Sequence, residues 1–197
     1  NDKTIDLYWL SKIISNKQWE KMVRRNFPIY HWVKYLDIWN RFIPYGEKHV
    51  YPSSTTGSRD IKGLLHNSNI KMMEFLPDED KKAKSWMRSK GWSDGELFVC
   101  LLVRDSAYLA QDNLHVNTYD YTYHAYRDSD ISTYIEAMEW LADSGVWVFR
   151  MGKIMNVPIS SKHPKIIDYA FCPEKSDLLD IWLFANCDLC ISTGSGP

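Results

Sequence analysis

Three short apolar runs in the second half of the chain each stop at a residue suited to holding phosphate. Residues 97–103 (LFVCLLV) run into Arg104-Asp105-Ser106, and residues 146–149 (VWVF) run into Arg150-Met151-Gly152. Residues 189–191 (LCI) run into Ser192-Thr193-Gly194-Ser195-Gly196. An amphipathic helical pattern lies between the first two runs, and another precedes the third. Strands alternating with helices predict a parallel α/β sheet, whose ligands bind beyond the carboxyl ends of its strands. Two arginines and a Ser/Thr/Gly turn are thereby delivered to one edge. Such an edge suits an anionic small molecule, with a nucleotide or nucleotide-sugar as the first candidate.

The length of 197 residues allows one generous domain, or one domain and part of another. A net charge of −1 gives no basic excess of the kind a nucleic-acid binder shows, so nucleic acid is not an expected partner. No apolar run approaches the roughly 18–20 residues that span a bilayer, and residues 1–6 do not read as a signal peptide. The expectation is a cytoplasmic protein without a transmembrane segment, with peripheral membrane association left open. Four cysteines at 100, 172, 187 and 190 form no disulfide framework in a chain this long. Cys187 and Cys190 have C-x-x-C spacing, but the pair enters a strand rather than a helix, so buried, inert thiols are expected.

Residues 1–50 read as helices. Ile5, Trp9, Leu10 and Ile13 keep helical spacing, as do Ile29, Val33, Leu36, Trp39 and Ile43, with Pro28 near the start and residues 44–46 at the end. Residues 52–69 are polar and read as a loop or junction. A helix is expected from Pro77 to about Lys90, with acids in its first turn and Gly91 as its stop. Another spans 130–143, with Asp130 as N-cap and Gly145 beyond its end. A third, at 176–186, is apolar nearly all round and is expected to lie buried between layers. A strand followed at once by Gly194-Ser195-Gly196-Pro197 reads as a strand–helix unit cut short.

Arg104 is the strongest candidate for chemistry. Its permanently charged, planar donor fork suits a diphosphate, and a fixed guanidinium stabilises charge that grows on a leaving group. The competing role is an ion pair with Asp105. Arg150 follows the same logic, with a structural ion pair as the stronger reading. Ser192 to Ser195 could wrap phosphate with backbone N–H groups as a helix begins, although the turn matches neither GxxxxGK[ST] nor GxGxxG. The loop at 119–128 offers Tyr126 and Arg127 to a sugar or base, and His124 as a general base. Asp128-Ser129-Asp130 has D-x-D spacing, which helix capping explains without a metal. Asp168, at the end of a short apolar run, could accept from guanine or a ribose hydroxyl. Asp177 and Asp180 could meet ribose, while stabilising a helix N-terminus is the simpler account of Asp177.

Six ordered segments carry a resemblance. They are 103–108 (VRDSAY, with Arg104, Asp105, Ser106 and Tyr108), 124–131 (HAYRDSDI), 150–152 (RMG), 167–169 (IDY, with Asp168 and Tyr169), 176–181 (SDLLDI) and 191–196 (ISTGSG). Together they resemble a bacterial family of glycosyltransferases found with surface-polysaccharide genes, itself distantly similar to the GT-B fucosyltransferases that use GDP-fucose. The resemblance covers about residues 97–196. It implies a metal-independent GT-B enzyme with no cofactor, which moves a sugar from a nucleoside-diphosphate donor, GDP-linked by preference, to a glycan or lipid-linked acceptor. Arg104 falls where those enzymes hold the donor diphosphate, and Ser192, Thr193, Gly194 and Ser195 where their last turn meets phosphate. His124 joins Arg104 as a catalytic candidate. Asp105, Ser106, Tyr108, Tyr126, Arg127, Arg150, Gly152, Asp168, Tyr169 and Asp177 complete the expected substrate-binding set. Leu102 stands where the family commonly has His, and Ala125 where it has Asp, so a contact to donor or acceptor is altered at each.

The expected architecture is therefore α/β, a GT-B-like Rossmann-type parallel sheet, C-terminally truncated, with a helical, aromatic-rich N-terminal region. Residues 1–94 would form part of an N-terminal lobe and connector, and 95–197 part of a nucleotide-sugar-binding domain. The alternative is a non-catalytic nucleotide-sugar-binding, glycan-binding or protein-interaction domain.

Overall fold

The structure, a computed structural model, describes residues 5–10, 12, 14–50, 73–107 and 122–193, with the side chains of 122–124 excepted. The chain divides into two units, Asn1–Phe75 and Leu76–Pro197.

In the first unit, helix α1 spans Lys17–Asn26. Its cap is Asn16, whose side-chain oxygen accepts from Trp19 N at 2.8 Å. Glu20 and Arg24 pair one turn apart at 2.8 Å on its surface, while Met22 is buried beneath. Helix α2 spans Val33–Asn40. Residues 5–10 depart from the expected helix. Tyr8 N donates to Pro28 O at 3.1 Å and Tyr8 O accepts from Tyr30 N at 3.0 Å, which makes a parallel bridge to Ile29. The Tyr8 ring packs edge-on to Phe27 at 5.4 Å. Pro28 thus belongs to this bridge, and α2 begins five residues later than Pro28 implies.

The second unit is mixed α/β around a four-stranded, all-parallel sheet. Strands β1 (Phe98–Leu102), β2 (Trp147–Arg150), β3 (Ile166–Ile167) and β4 (Leu189–Ser192) lie in the order β3-β2-β1-β4. The register pairs Cys100 with Phe149 on one side and with Cys190 on the other. Strands β1 and β2 are buried almost throughout. This is why they read as unbroken apolar runs rather than alternating ones.

Helix α3 (Pro77–Ser89) opens on proline, and Glu79 reaches back to accept from Leu76 N at 2.9 Å. It ends at Gly91, whose φ of +102° suits glycine. Trp86 meets Phe149 at 6.0 Å and Tyr169 at 5.5 Å, so α3 lies against the sheet. Helix α3 accordingly falls within the unit that holds the sheet. Helix α4 (Ile135–Asp143) follows a 3-10 turn over Ile131–Tyr134, and Asp130 caps that turn by accepting from Ser132 N at 2.8 Å. Its Met138 and Ala142 join Leu101, Val103, Val148 and Ile166 in one buried cluster.

Helix α5 (Asp177–Asn186) is capped by Ser176. Phe98 stacks on its Trp182 at 6.3 Å, on the side where Phe98 also meets Phe149. Only Leu179, Trp182 and Leu183 of α5 are buried. The expectation of burial between layers is corrected to burial of one side, with Phe184 left exposed. Among the described residues no helix is long and apolar enough to cross a membrane.

Candidate functional site

The strand order fixes where a ligand site belongs. The chain steps outward from β1 to β2 to β3, then returns to the other flank of β1 to make β4. The carboxyl ends of β1 and β4 therefore diverge at a topological switch point, where open α/β sheets present a crevice.

Arg104 and Thr193 meet there. Thr193 N donates to Leu102 O at 3.1 Å, extending the ladder past β4, and Arg104 N donates to Thr193 Oγ1 at 2.9 Å. The Arg104 carbonyl accepts from Ser129 N at 2.9 Å, which ties the loop before α4 to the same point. The guanidinium turns to Asp128, with Nε 3.3 Å from Oδ1. Asp128 Oδ1 is buried and forms no hydrogen bond among the described residues, so this contact is one of charge. The Arg104 side chain is 14 % exposed and that of Asp128 26 %, which leaves the pair at the surface of the crevice rather than sealed inside.

The expected partner, Asp105, does other work. Its two oxygens accept from Ala107 N at 2.9 Å and from Asn156 N at 2.8 Å, while Asn156 Nδ2 donates to Ser106 Oγ at 3.3 Å. Asp105 and Ser106 thus lace the loop after β1 to the loop after β2. Nothing in the sequence around Asn156 signals this part.

At the carboxyl end of β2, Arg150 is 1 % exposed and donates through Nη1 to Asp168 Oδ1 at 3.2 Å. Asp168 Oδ2 accepts from Ile159 N at 2.9 Å, and the Arg150 guanidinium lies 5.5 Å above the Phe171 ring. Both carboxylate oxygens of Asp168 are therefore held by the protein's own donors, and Arg150 is ion-paired as its stronger reading expects. Gly152 follows with its carbonyl near Lys175, whose Nζ donates to the Lys153 and Ala170 carbonyls, each at 2.7 Å. Lys175 gathers that loop from beneath, a part the sequence did not signal.

Tyr169 is fully buried, with its hydroxyl 2.6 Å from Asp180 Oδ1 and accepting from Ser176 N at 3.2 Å. It supports the start of α5, the helix whose first residue is Asp177. Tyr126 and Arg127 are exposed and bonded to each other, Nε to hydroxyl, at 3.0 Å. Ser192 is exposed at the end of β4. Tyr108, Gly194 and Ser195 lie outside the described residues, as does the side chain of His124.

Two titrating features bear on chemistry. Burial pushes the Cys100 thiol up, and its neighbour Cys187 adds to the shift; burial also raises Cys172 and Cys190. These three thiols stay protonated near neutrality and are poor nucleophiles. The expectation that all four would be buried is corrected: only Cys100 is, while Cys172 and Cys187 are partly exposed and Cys190 is exposed on β4.

Burial likewise raises the Asp180 carboxyl above the ordinary aspartate range, against the opposing effect of the Tyr169 hydroxyl. A raised pKa means that the folded protein holds the proton more tightly than the unfolded chain. Its contribution to stability is present below about pH 4 and is lost as pH rises through the raised value. Asp180→Asn removes that contribution. Thermal unfolding across this window should therefore show the variant gaining on the parent as pH rises, and a pH-independent difference would refute the assignment.

Comparison with known protein families, with curated proteins and with solved structures returned no match.

Proposed function

We propose that the unit 76–197 binds the diphosphate of a nucleotide-sugar at the β1/β4 switch point, and that it serves a metal-independent glycosyltransferase of GT-B type. The observation that carries the reading is the bond from Arg104 N to Thr193 Oγ1 at 2.9 Å. It brings an arginine and a Ser-Thr turn to the one crevice where a parallel sheet of this order takes its ligands. The resemblance across residues 97–196 supplies the finer part, a GDP-linked donor.

In the proposed transfer, the bond between the anomeric carbon and the distal phosphate oxygen breaks, and its electron pair leaves with the diphosphate. An acceptor hydroxyl oxygen forms the new bond and gives up its proton, with His124 the proposed base. Charge on the leaving oxygen grows as that bond lengthens, so the Arg104 guanidinium interacts more strongly with the transition state than with the ground state. Asp128 holds the guanidinium from the side until phosphate arrives.

The test is thermal-shift binding of GDP, UDP, ADP and their sugars, with Arg104→Ala beside the parent. A nucleotide at ~100 times its dissociation constant should stabilise the fold by about 2.7 kcal/mol. Loss of charge-assisted hydrogen bonds in Arg104→Ala should weaken binding by roughly 1.5–3 kcal/mol. No shift with any nucleotide, in protein that unfolds cooperatively, overturns the reading.

A further inference from the structure

The first unit wears its apolar side outward. Trp32, Tyr35, Leu36, Trp39, Phe42 and Ile43 recur at spacings of three and four, which places them on one side of α2 and the turn that follows. All six are exposed, Trp39 at 69 % and Phe42 at 80 %, while Val33 on the opposite side is the one buried residue of the helix. A helix that packs by its apolar stripe hides that stripe, whereas this one displays it.

Charge identifies the occupant. Residues 1–75 hold twelve Lys and Arg against seven Asp and Glu, whereas 76–197 hold twelve against eighteen. Lys34, Arg41 and Lys48 are exposed; Lys34 and Arg41 stand on the polar side of α2, where Arg41 Nη2 donates to Asp37 Oδ2 at 3.3 Å, and Lys48 Nζ lies 4.9 Å above the Tyr45 ring. Leu36, Phe42 and Ile43 add aliphatic and aromatic surface with no polar atom to the exposed rings of Trp32, Tyr35 and Trp39. Exposed Trp and Tyr rings among aliphatic groups, with long cationic side chains on the polar side of the same helix, have the make-up of a helix lying in a membrane interface.

We propose that the outward side of residues 32–43 docks the protein on an anionic lipid surface, with the rings at headgroup level and Lys34 and Lys48 reaching lipid phosphate. This docking is independent of the nucleotide site.

The experiment is flotation of the full chain with vesicles of phosphatidylcholine alone, and with about one third phosphatidylglycerol. The chain should float with the anionic vesicles and release in high salt. Trp39→Ser/Phe42→Ser, at exposed positions, should fall at least about ten-fold in partitioning for the apolar area withdrawn. Lys34→Gln/Lys48→Gln should lose about five-fold per charge. Three outcomes overturn the proposal: no flotation with either vesicle, flotation unchanged in the Ser pair, or a dimer in sedimentation velocity that the Ser pair dissolves. The last would assign the surface to a second copy of the chain.

Discussion

Asp168→Ala should cost about 3–5 kcal/mol of stability, read as a lowered midpoint in urea unfolding. The reason lies in what is left behind. Arg150 is 1 % exposed, and its Nε already lacks a partner among the described residues. Removing the carboxylate strands a buried guanidinium with no counter-charge and takes away the acceptor of Ile159 N. Arg150→Met should cost less, because the Asp168 side chain retains 16 % exposure and can turn its freed oxygen to water. The double variant Arg150→Met/Asp168→Asn should recover most of the loss, since Asn still accepts from Ile159 N and no buried charge remains. The same series bears on base or ribose recognition by Asp168. A loss of less than about 1 kcal/mol in Asp168→Ala, within the range of exposed pairs, would show the pair to be energetically idle and free the carboxylate for a ligand.

The elements of the second unit were legible because their signals are local. Strands buried on both faces leave unbroken apolar runs, so residues 97–103, 146–149 and 189–191 locate β1, β2 and β4 to within a residue or two. Asp130, Pro77 and Gly91 mark helix ends by chemistry that acts within a single turn. What the sequence hid is non-local. Residues 5–10 have apolar spacing compatible with a helix, but the Tyr8 backbone finds its partners at Pro28 and Tyr30, twenty residues and more away. Asp105 stands beside Arg104 in sequence, yet the backbone N–H groups of Ala107 and Asn156 occupy it, and Asp128 reaches the guanidinium from another loop. Arg150 reads from sequence as an ion-pair partner without naming its partner, and Asp168 as an acceptor facing a ligand. Their pairing depends on the register of β2 with β3, which places Phe149 opposite Ile167. Trp86 of α3 likewise gives no hint in sequence that it meets Phe149 and Tyr169.

Trp182→Ala should be the most damaging truncation of an apolar side chain in the second unit, at about 3–5 kcal/mol. Trp182 is 2 % exposed, and it stacks on Phe98 of β1 with an interplanar angle of 2°. Its Nε1 donates to Asp80 Oδ1 of α3 at 3.0 Å. One side chain therefore joins α5, β1 and α3. Alanine opens a cavity whose walls are two helices and a strand already held by their own backbone bonds, so collapse can fill little of it. Trp182→Phe separates the two contributions. It keeps most of the stacked area and loses the indole N–H, whose bond is worth about 1 kcal/mol. Asp80, also held at 2.7 Å by Lys84 and partly exposed, is not stranded by that loss. The Phe variant should therefore sit within about 2 kcal/mol of the parent. Should Phe and Ala cost the same, the polar link from α5 to α3, rather than the stack on β1, would be what holds this side of the sheet.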